Sequence, residues 1–363
     1  MRKVRNVRIL VLKPCTNIRK SHYSRIKFHF IGQKIPENLH MCNFCSKFAP
    51  DLNCMNVCIC VETVKEMKNI AFIINPISGS KEIQKEKKKL PKLIMQTLDD
   101  EQWLPNITFT EYAGHGTELA YQYARMGFDA VVAVGGDGTV NEIARGLKET
   151  KTALGIIPMG SGNGFARHLN IPMRPQKAIE LINHSEPIYV DYGLANGRMF
   201  VCTCGTGFDA VIADNFAAGS KRGFMSYIQN TIKEAFTYHP RTYHIVGDGL
   251  DVTHKAFLIT FANANQWGND AKIAPKASMQ DGKMDIMLMS SNALLAGASL
   301  ALRLFAGSID GSHFMDTIRA KEVTVEREEI APFHIDGDPV EMEKDIHIKM
   351  VPDGLRVLVE KRF

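Results

Sequence analysis

The sequence predicts a three-layer α/β domain with a mostly parallel sheet, followed by a second, β-rich, sandwich-like domain. Three observations carry this. Ile70–Ile74, Val131–Val134 and Ala153–Ile157 are short apolar runs without polar alternation, as in parallel strands buried on both faces. Turns of Gly, Ser, Asn and Thr follow them, and then apolar residues at helical spacing. After about residue 187 the pattern changes to hairpins and isolated β runs.

Residues 1–66 fit neither part. They hold 12 of the 44 Lys/Arg, 4 of the 39 Asp/Glu and six of the eight cysteines. The rest of the chain carries 32 basic and 35 acidic residues, so the overall charge of +5 does not argue for a nucleic-acid groove in the main body. Cys42-x-x-Cys45 with Cys54-x-x-x-Cys58 admits a four-thiolate zinc site, although the pairs are closely spaced. Arg2, Lys3, Arg5 and Arg8 before Ile9–Leu12 hint at a targeting peptide, but the apolar run is short. The simplest account takes Met67 as the translational start, with a strand beginning two residues later. If the segment is made, a disordered basic arm touching anionic lipid is expected. No stretch approaches the ~18–20 apolar residues that cross a bilayer. Cys202 and Cys204 share a strand face roughly 6.5–7 Å apart, too far for an unstrained disulfide. The main body therefore reads as a reduced, cytoplasmic protein.

In the main body, Ile70–Ile74 is the first strand and Asn75-Pro76-Ile77-Ser78-Gly79-Ser80 its turn. Ile83, Leu90, Leu93, Ile94 and Leu98 mark a helix face that Pro91 kinks or splits. A strand over 107–110 and a helix over 118–126, capped by Gly127, precede Val131–Val134. Val140, Ile143, Ala144 and Leu147 predict the next helix, and Pro175–Asn183 the last of this domain. Asn196-Gly197 between two β runs predicts a type I′ hairpin over 188–204. Further strands are predicted at 241–247, 252–263, 283–289, 318–326 and 354–361, with helices at 225–238 and 292–305. Phe216, Phe224, Met225, Tyr227, Ile228 and Phe236 form either ordinary core or the wall of an acyl-chain cleft.

The loops carry the chemistry. Strand-end turns rich in Gly, Ser and Thr, with free N–H groups before a helix, suit phosphate. Gly135-Gly136-Asp137-Gly138-Thr139 adds a carboxylate, which repels phosphate unless a cation such as Mg²⁺ lies between them. Otherwise Asp137 is a helix cap in a tight turn. Asp281-Gly282 could hold a cation through Asp281 and backbone carbonyls, or be a plain turn. In His334-Ile335-Asp336-Gly337-Asp338, one acid could accept a proton from an alcohol, or the stretch is a plain hairpin. Neither a P-loop nor a strand-linked G-x-G-x-x-G is present.

Taken together, Asn75-Pro76-x-Ser78-Gly79, Gly135-Gly136-Asp137-Gly138-Thr139-Val140-Asn141-Glu142 and Gly160-Ser161-Gly162-Asn163-x-Phe165-Ala166-Arg167 resemble the diacylglycerol kinase catalytic superfamily. The resemblance is to its soluble bacterial lipid-kinase branch, related to sphingosine kinases, and covers residues 68–363. It implies a catalytic α/β domain over 68–195 plus about 350–363 and a β-rich domain over 196–349, with the active site between them. It implies an ATP-dependent kinase acting on the primary hydroxyl of diacylglycerol or a related lipid, a sphingoid base included. ATP phosphates would lie on Asn75, Pro76, Ser78 and Gly79 and on Gly135, Gly136, Asp137, Gly138, Thr139, Val140 and Asn141. Thr110 and Ser161 match further nucleotide contacts. Ser278, Asp281 and Lys283 match a structural Mg²⁺ site, and Asp338 the general base. The protein would be peripheral at the inner face of the membrane, with a homodimer admitted.

Two positions depart from the family pattern: Gly164 stands where Asp is usual, and Asp338 where Glu is usual. With no Walker lysine, loop amides, a cation and Lys81 would stabilise the transferring phosphoryl. An NAD kinase, which shares the Gly-Gly-Asp-Gly-Thr loop, and a nucleotide-binding regulator without turnover are the alternatives.

Overall fold

The structure, a computed structural model, describes residues 9–14, 57–61, 67–211, 237–291 and 297–361. The chain divides into two compact units, Met1–Met67 and Lys68–Phe363. In the first unit, strands β1 (Ile9–Pro14) and β2 (Val57–Val61) pair antiparallel, with Ile9 opposite Val61. Neither is anticipated from the sequence, although both are aliphatic runs of the kind that pair. Cys42, Cys45 and Cys54 of the zinc alternative lie outside the described residues.

The second unit begins with four parallel strands: β3 (Lys68–Ile74), β4 (Trp103–Phe109), β5 (Ala130–Gly135) and β6 (Ala153–Pro158). Their spatial order is β4-β3-β5-β6. Ile70–Ile74 and Ala130–Val134 are all 0% exposed, which explains their unbroken apolar pattern. The register aligns the strand ends: Ile74 lies opposite Phe109 and Val134, and Val134 opposite Ile157. Four turns therefore emerge along one rim.

The helices between these strands cover their apolar residues. The segment over 83–98 forms two helices, α1 (Lys81–Lys87) and α2 (Leu90–Thr97), with Pro91 at the start of the second. Proline is tolerated there because that N–H has no intrahelical acceptor. Helix α3 (His115–Arg125) starts three residues before the predicted start. Helix α4 (Asp137–Leu147) follows β5 directly, α5 (Gly164–His168) is a short helix not predicted, and α6 spans Pro175–Asn183.

The β-rich part begins with the hairpin β7 (Ser185–Ala195) and β8 (Arg198–Phe200). Asn196 and Gly197 have φ of 44° and 79°, as a type I′ turn requires. The second run breaks at Val201 and Cys202, and β9 (Thr203–Gly207) leaves to pair with β11 (Leu250–Ala262) and β15 (Phe333–Ile335). β10 (Arg241–Gly247) pairs with the first half of β11 and β12 (Met284–Ser290) with its second half, on opposite edges where both meet Ala256. The predicted strand over 318–326 is two strands, β13 (Met315–Ala320) and β14 (Glu322–Arg327), because the chain changes partners at Lys321. β13 pairs with β12, whereas β14 pairs with β10 and with the last strand, β17 (Ile346–Glu360). Helix α7 spans Gly297–Ala306, and residues 292–296 of the predicted helix lie outside the described residues. The aromatic residues weighed as an acyl-cleft wall, from Phe216 to Phe236, lie outside the described residues, as does most of the helix predicted at 225–238.

Strand β17 joins the two parts. Its start pairs with β14, its length with β7, and its end lies parallel to β6 through Val357 and Leu154. The α/β sheet thus continues into the β-rich part. Cys202 and Cys204 are free and buried.

Candidate active site

The rim at the strand ends is built from loops that touch through glycine. A Cβ on Gly160 would sit 2.4 Å from the Gly136 Cα, and one on Gly135 would sit 2.4 Å from Thr139 Oγ1. These loops close only without side chains at those positions. Met159 N–H donates to Gly135 O at 2.7 Å, tying the β5 and β6 loops together. Asn163, with φ of 54°, closes the β6 loop on itself. Its Oδ1 accepts from Gly160 N and its Nδ2 donates to Gly160 O.

The sequence-predicted residues distribute over this rim. Asn75 makes an Asx turn, its Oδ1 accepting the N–H groups of Ile77 and Ser78. Its Nδ2 donates to Thr139 Oγ1 at 3.3 Å, joining the β3 and β5 loops. Pro76, Ser78 and Gly79 complete the β3 turn, and Gly79 has φ of 89°. Thr110 follows β4, buried, with its N–H on Ile74 O. Ser161 is exposed on the β6 loop. Val140 differs in kind: its side chain is in the core and its N–H bonds Gly136 O.

Asp137 opens α4 and accepts the Asn163 N–H at 2.7 Å. Desolvation pushes its pKa up to about 6; the Asn163 N–H pulls it down and the Asp336 charge pushes it up. Asp137 thus bridges two loops as well as carrying charge.

The acidic stretch of the β-rich part arrives opposite. Asp336 and Gly337 form a two-residue turn, both at positive φ, between β15 and β16 (Asp338–Val340). The turn is a hairpin in which the two acids do different work. Asp336 accepts four hydrogen bonds. They come from the N–H groups of Val201 (2.9 Å), Cys202 (2.8 Å) and Thr203 (3.0 Å), and from Asn141 Nδ2 (2.7 Å). Asn141 also donates to Met199 O. Asn141 and Asp336 therefore pin the Gly135–Asn141 loop to the β-rich part. This pin brings Asp338 to the glycine loop, so that a Cβ on Gly138 would lie 3.3 Å from Asp338 Oδ2. Asp338 is exposed, and its pKa is raised by desolvation, opposed by Arg145 and reinforced by Glu142.

Residues 69–195 match the diacylglycerol kinase catalytic domain, and residues 202–359 the YegS C-terminal NAD kinase beta sandwich-like domain. The "Probable lipid kinase YegS-like" of Chromohalobacter salexigens is 30% identical over 239 residues, 64% of this chain and 77% of that protein. The chain belongs to the diacylglycerol kinase family. The diacylglycerol kinase of Bacillus subtilis is 28% identical over 278 residues, 75% of this chain and 90% of its own length. A crystal structure of a diacylglycerol kinase from Bacillus anthracis shares the fold at 21% identity, with a TM-score of 0.63 over 81% of this chain and 98% of that one.

Within this family member the two departures read differently. Gly164 packs against Gln266 and Trp267. A Cβ there would lie 3.0 Å from Cys202 Sγ and 3.1 Å from Trp267 O, so this chain leaves little room for the aspartate usual elsewhere. Asp338, one methylene shorter than glutamate, lies beside Gly138, where a Cβ would be 3.3 Å from its Oδ2.

The two cation positions also differ. At Asp137, desolvation and the Asp336 charge both raise the carboxyl pKa, a cost that a divalent cation would relieve. Asp137 is the residue there that could hold Mg²⁺, since the Asp336 oxygens are taken by four hydrogen bonds. At the Asp281 turn, Arg319 supplies the positive charge. Its Nη2 pairs with Asp281 Oδ2, and its Nε with buried Asp285 at 2.8 Å. Asp281 Oδ1 meanwhile accepts the Lys283 N–H, and Ser278 Oγ accepts the Gln280 N–H. The Asp281 carboxylate therefore has a guanidinium as counter-ion. The sequence offered no signal for Arg319, which is 38 residues away.

Proposed function

We propose that this chain transfers the γ-phosphoryl group of ATP to a hydroxyl of diacylglycerol or a related lipid. The observation that carries the reading is the Asn141–Asp336 pin, which holds an exposed carboxylate, Asp338, against the glycine loop at the start of α4. Helix α4 offers its N-terminus and the loop its amides to the phosphates. Asp338 takes the proton of the lipid hydroxyl as that oxygen attacks the γ-phosphorus. The bond from phosphorus to the bridging oxygen breaks, and ADP leaves. Mg²⁺ at Asp137 would neutralise charge on the phosphates. Among the described residues no helix is long and apolar enough to cross a membrane.

The test is incubation with γ-labelled ATP and, separately, diacylglycerol, monoacylglycerol, a sphingoid base, ceramide and NAD. Label in a lipid is expected. Label in NAD alone, or ATP binding without transfer to any acceptor, would overturn the reading.

A further inference from the structure

Five lysines lie between residues 81 and 89, four of them exposed. The fifth, Lys87 at the end of α1, is 1% exposed. Its Nζ donates to Asn75 O at 2.8 Å, Ser78 O at 2.8 Å and Ser78 Oγ at 2.5 Å. All three acceptors are neutral. Burial alone brings its pKa down to about 8, and no carboxylate among the described residues offsets the cost. A buried ammonium without a counter-ion is unfavourable unless something else requires the charge.

The direction of the three hydrogen bonds shows what it does. An ammonium has three donors, so none remains for a ligand. Two carbonyl oxygens that would repel phosphate are drawn back towards Nζ. Ser78 Oγ accepts from Nζ, which leaves its one hydroxyl hydrogen free to donate outward. The turn is thus left with the Ser78 hydroxyl free to donate, the Asn75 and Ser78 carbonyls drawn back and a positive charge beneath.

We propose that Lys87 is the positioning residue of the polyphosphate site, setting the Asn75–Gly79 turn to receive an anion and supplying the charge that the anion completes. This rests on ATP being the phosphoryl donor. Lys87 acts through the turn, whereas Lys81, the sequence candidate, is exposed.

Titration calorimetry of Lys87→Met with ATP, ADP and adenosine tests it. ATP affinity is expected to fall roughly 10- to 100-fold, the scale of one charge-assisted hydrogen bond. ADP should lose less, and adenosine should bind as to the wild type. An equal loss for all three ligands, or no loss, would overturn the role of Lys87 alone. Wild-type protein that binds none of them overturns the ATP reading itself, and this proposal with it. Should Lys87→Met fail to fold, the ¹⁵Nζ resonance of Lys87 in the wild-type protein decides. A shift with ATP and none with adenosine supports the proposal, and no shift with ATP refutes it.

Discussion

Replacing Asp336 with asparagine removes one acceptor oxygen and puts an NH₂ group in its place. In the wild type Oδ1 accepts from Cys202 and Thr203, and Oδ2 from Val201 and Asn141. An amide has a single oxygen, so two of these four donors lose their acceptor and face a donor instead. A buried donor left unsatisfied costs about 1–3 kcal/mol. Two of them give about 2–6 kcal/mol, a large part of a typical 5–15 kcal/mol stability. At about 2 °C per kcal/mol for a domain of this size, Tm should fall by roughly 4–12 °C. The effect on turnover should be larger in proportion. Asp336 sets the position of Asp338 two residues on, and ~1 Å of misplacement can cost about 10²-fold. Differential scanning calorimetry and the labelled-ATP assay measure both. A Tm within about 1 °C of wild type with unchanged kcat would refute the pin.

Other expectations follow from the same geometry. Asp338→Asn should lower kcat by about 10²–10⁴, the contribution of a general base, while ATP binding stays unchanged in calorimetry. The base must be ionised, and desolvation raises its pKa from 3.8, so activity should be lost as pH falls through that raised value. Arg145 holds the same pKa down, so Arg145→Gln should move the acid limb of the kcat/KM profile to higher pH. Gly160→Ala drives a Cβ against the Gly136 backbone and should raise the KM for ATP well before it unfolds the protein. Arg319→Gln leaves the buried Asp285 carboxylate without its half-exposed guanidinium and should cost about 1–3 kcal/mol in chemical denaturation, partly recovered by millimolar Mg²⁺ if the vacated turn then admits a cation.

The parallel strands and their loops were legible because local chemistry demanded particular residues. Only unbroken apolar runs survive in strands buried on both faces, and loops meeting backbone to backbone at Gly136 and Gly160 admit no side chain. The Asn196-Gly197 hairpin was legible for the same reason, since its turn needs positive φ twice. The split of 318–326 into β13 and β14 was not, because a change of partner strand leaves no trace in propensity.

By itself, the sequence determined the α/β strands, the rim of small-residue loops and the presence of two acids around Gly337. What separates those acids is tertiary. Asp336 meets three amides and Asn141, whereas Asp338 meets the glycine loop, and both environments come from segments more than 130 residues distant. The same holds for Lys87, alike its neighbours until α1 turns it under the β3 loop, and for Arg319 at the Asp281 turn. Periodicity and turn preference act over a few residues, so a sequence displays them. Burial and charge pairing depend on which distant segments share a volume, and only the folded chain sets that.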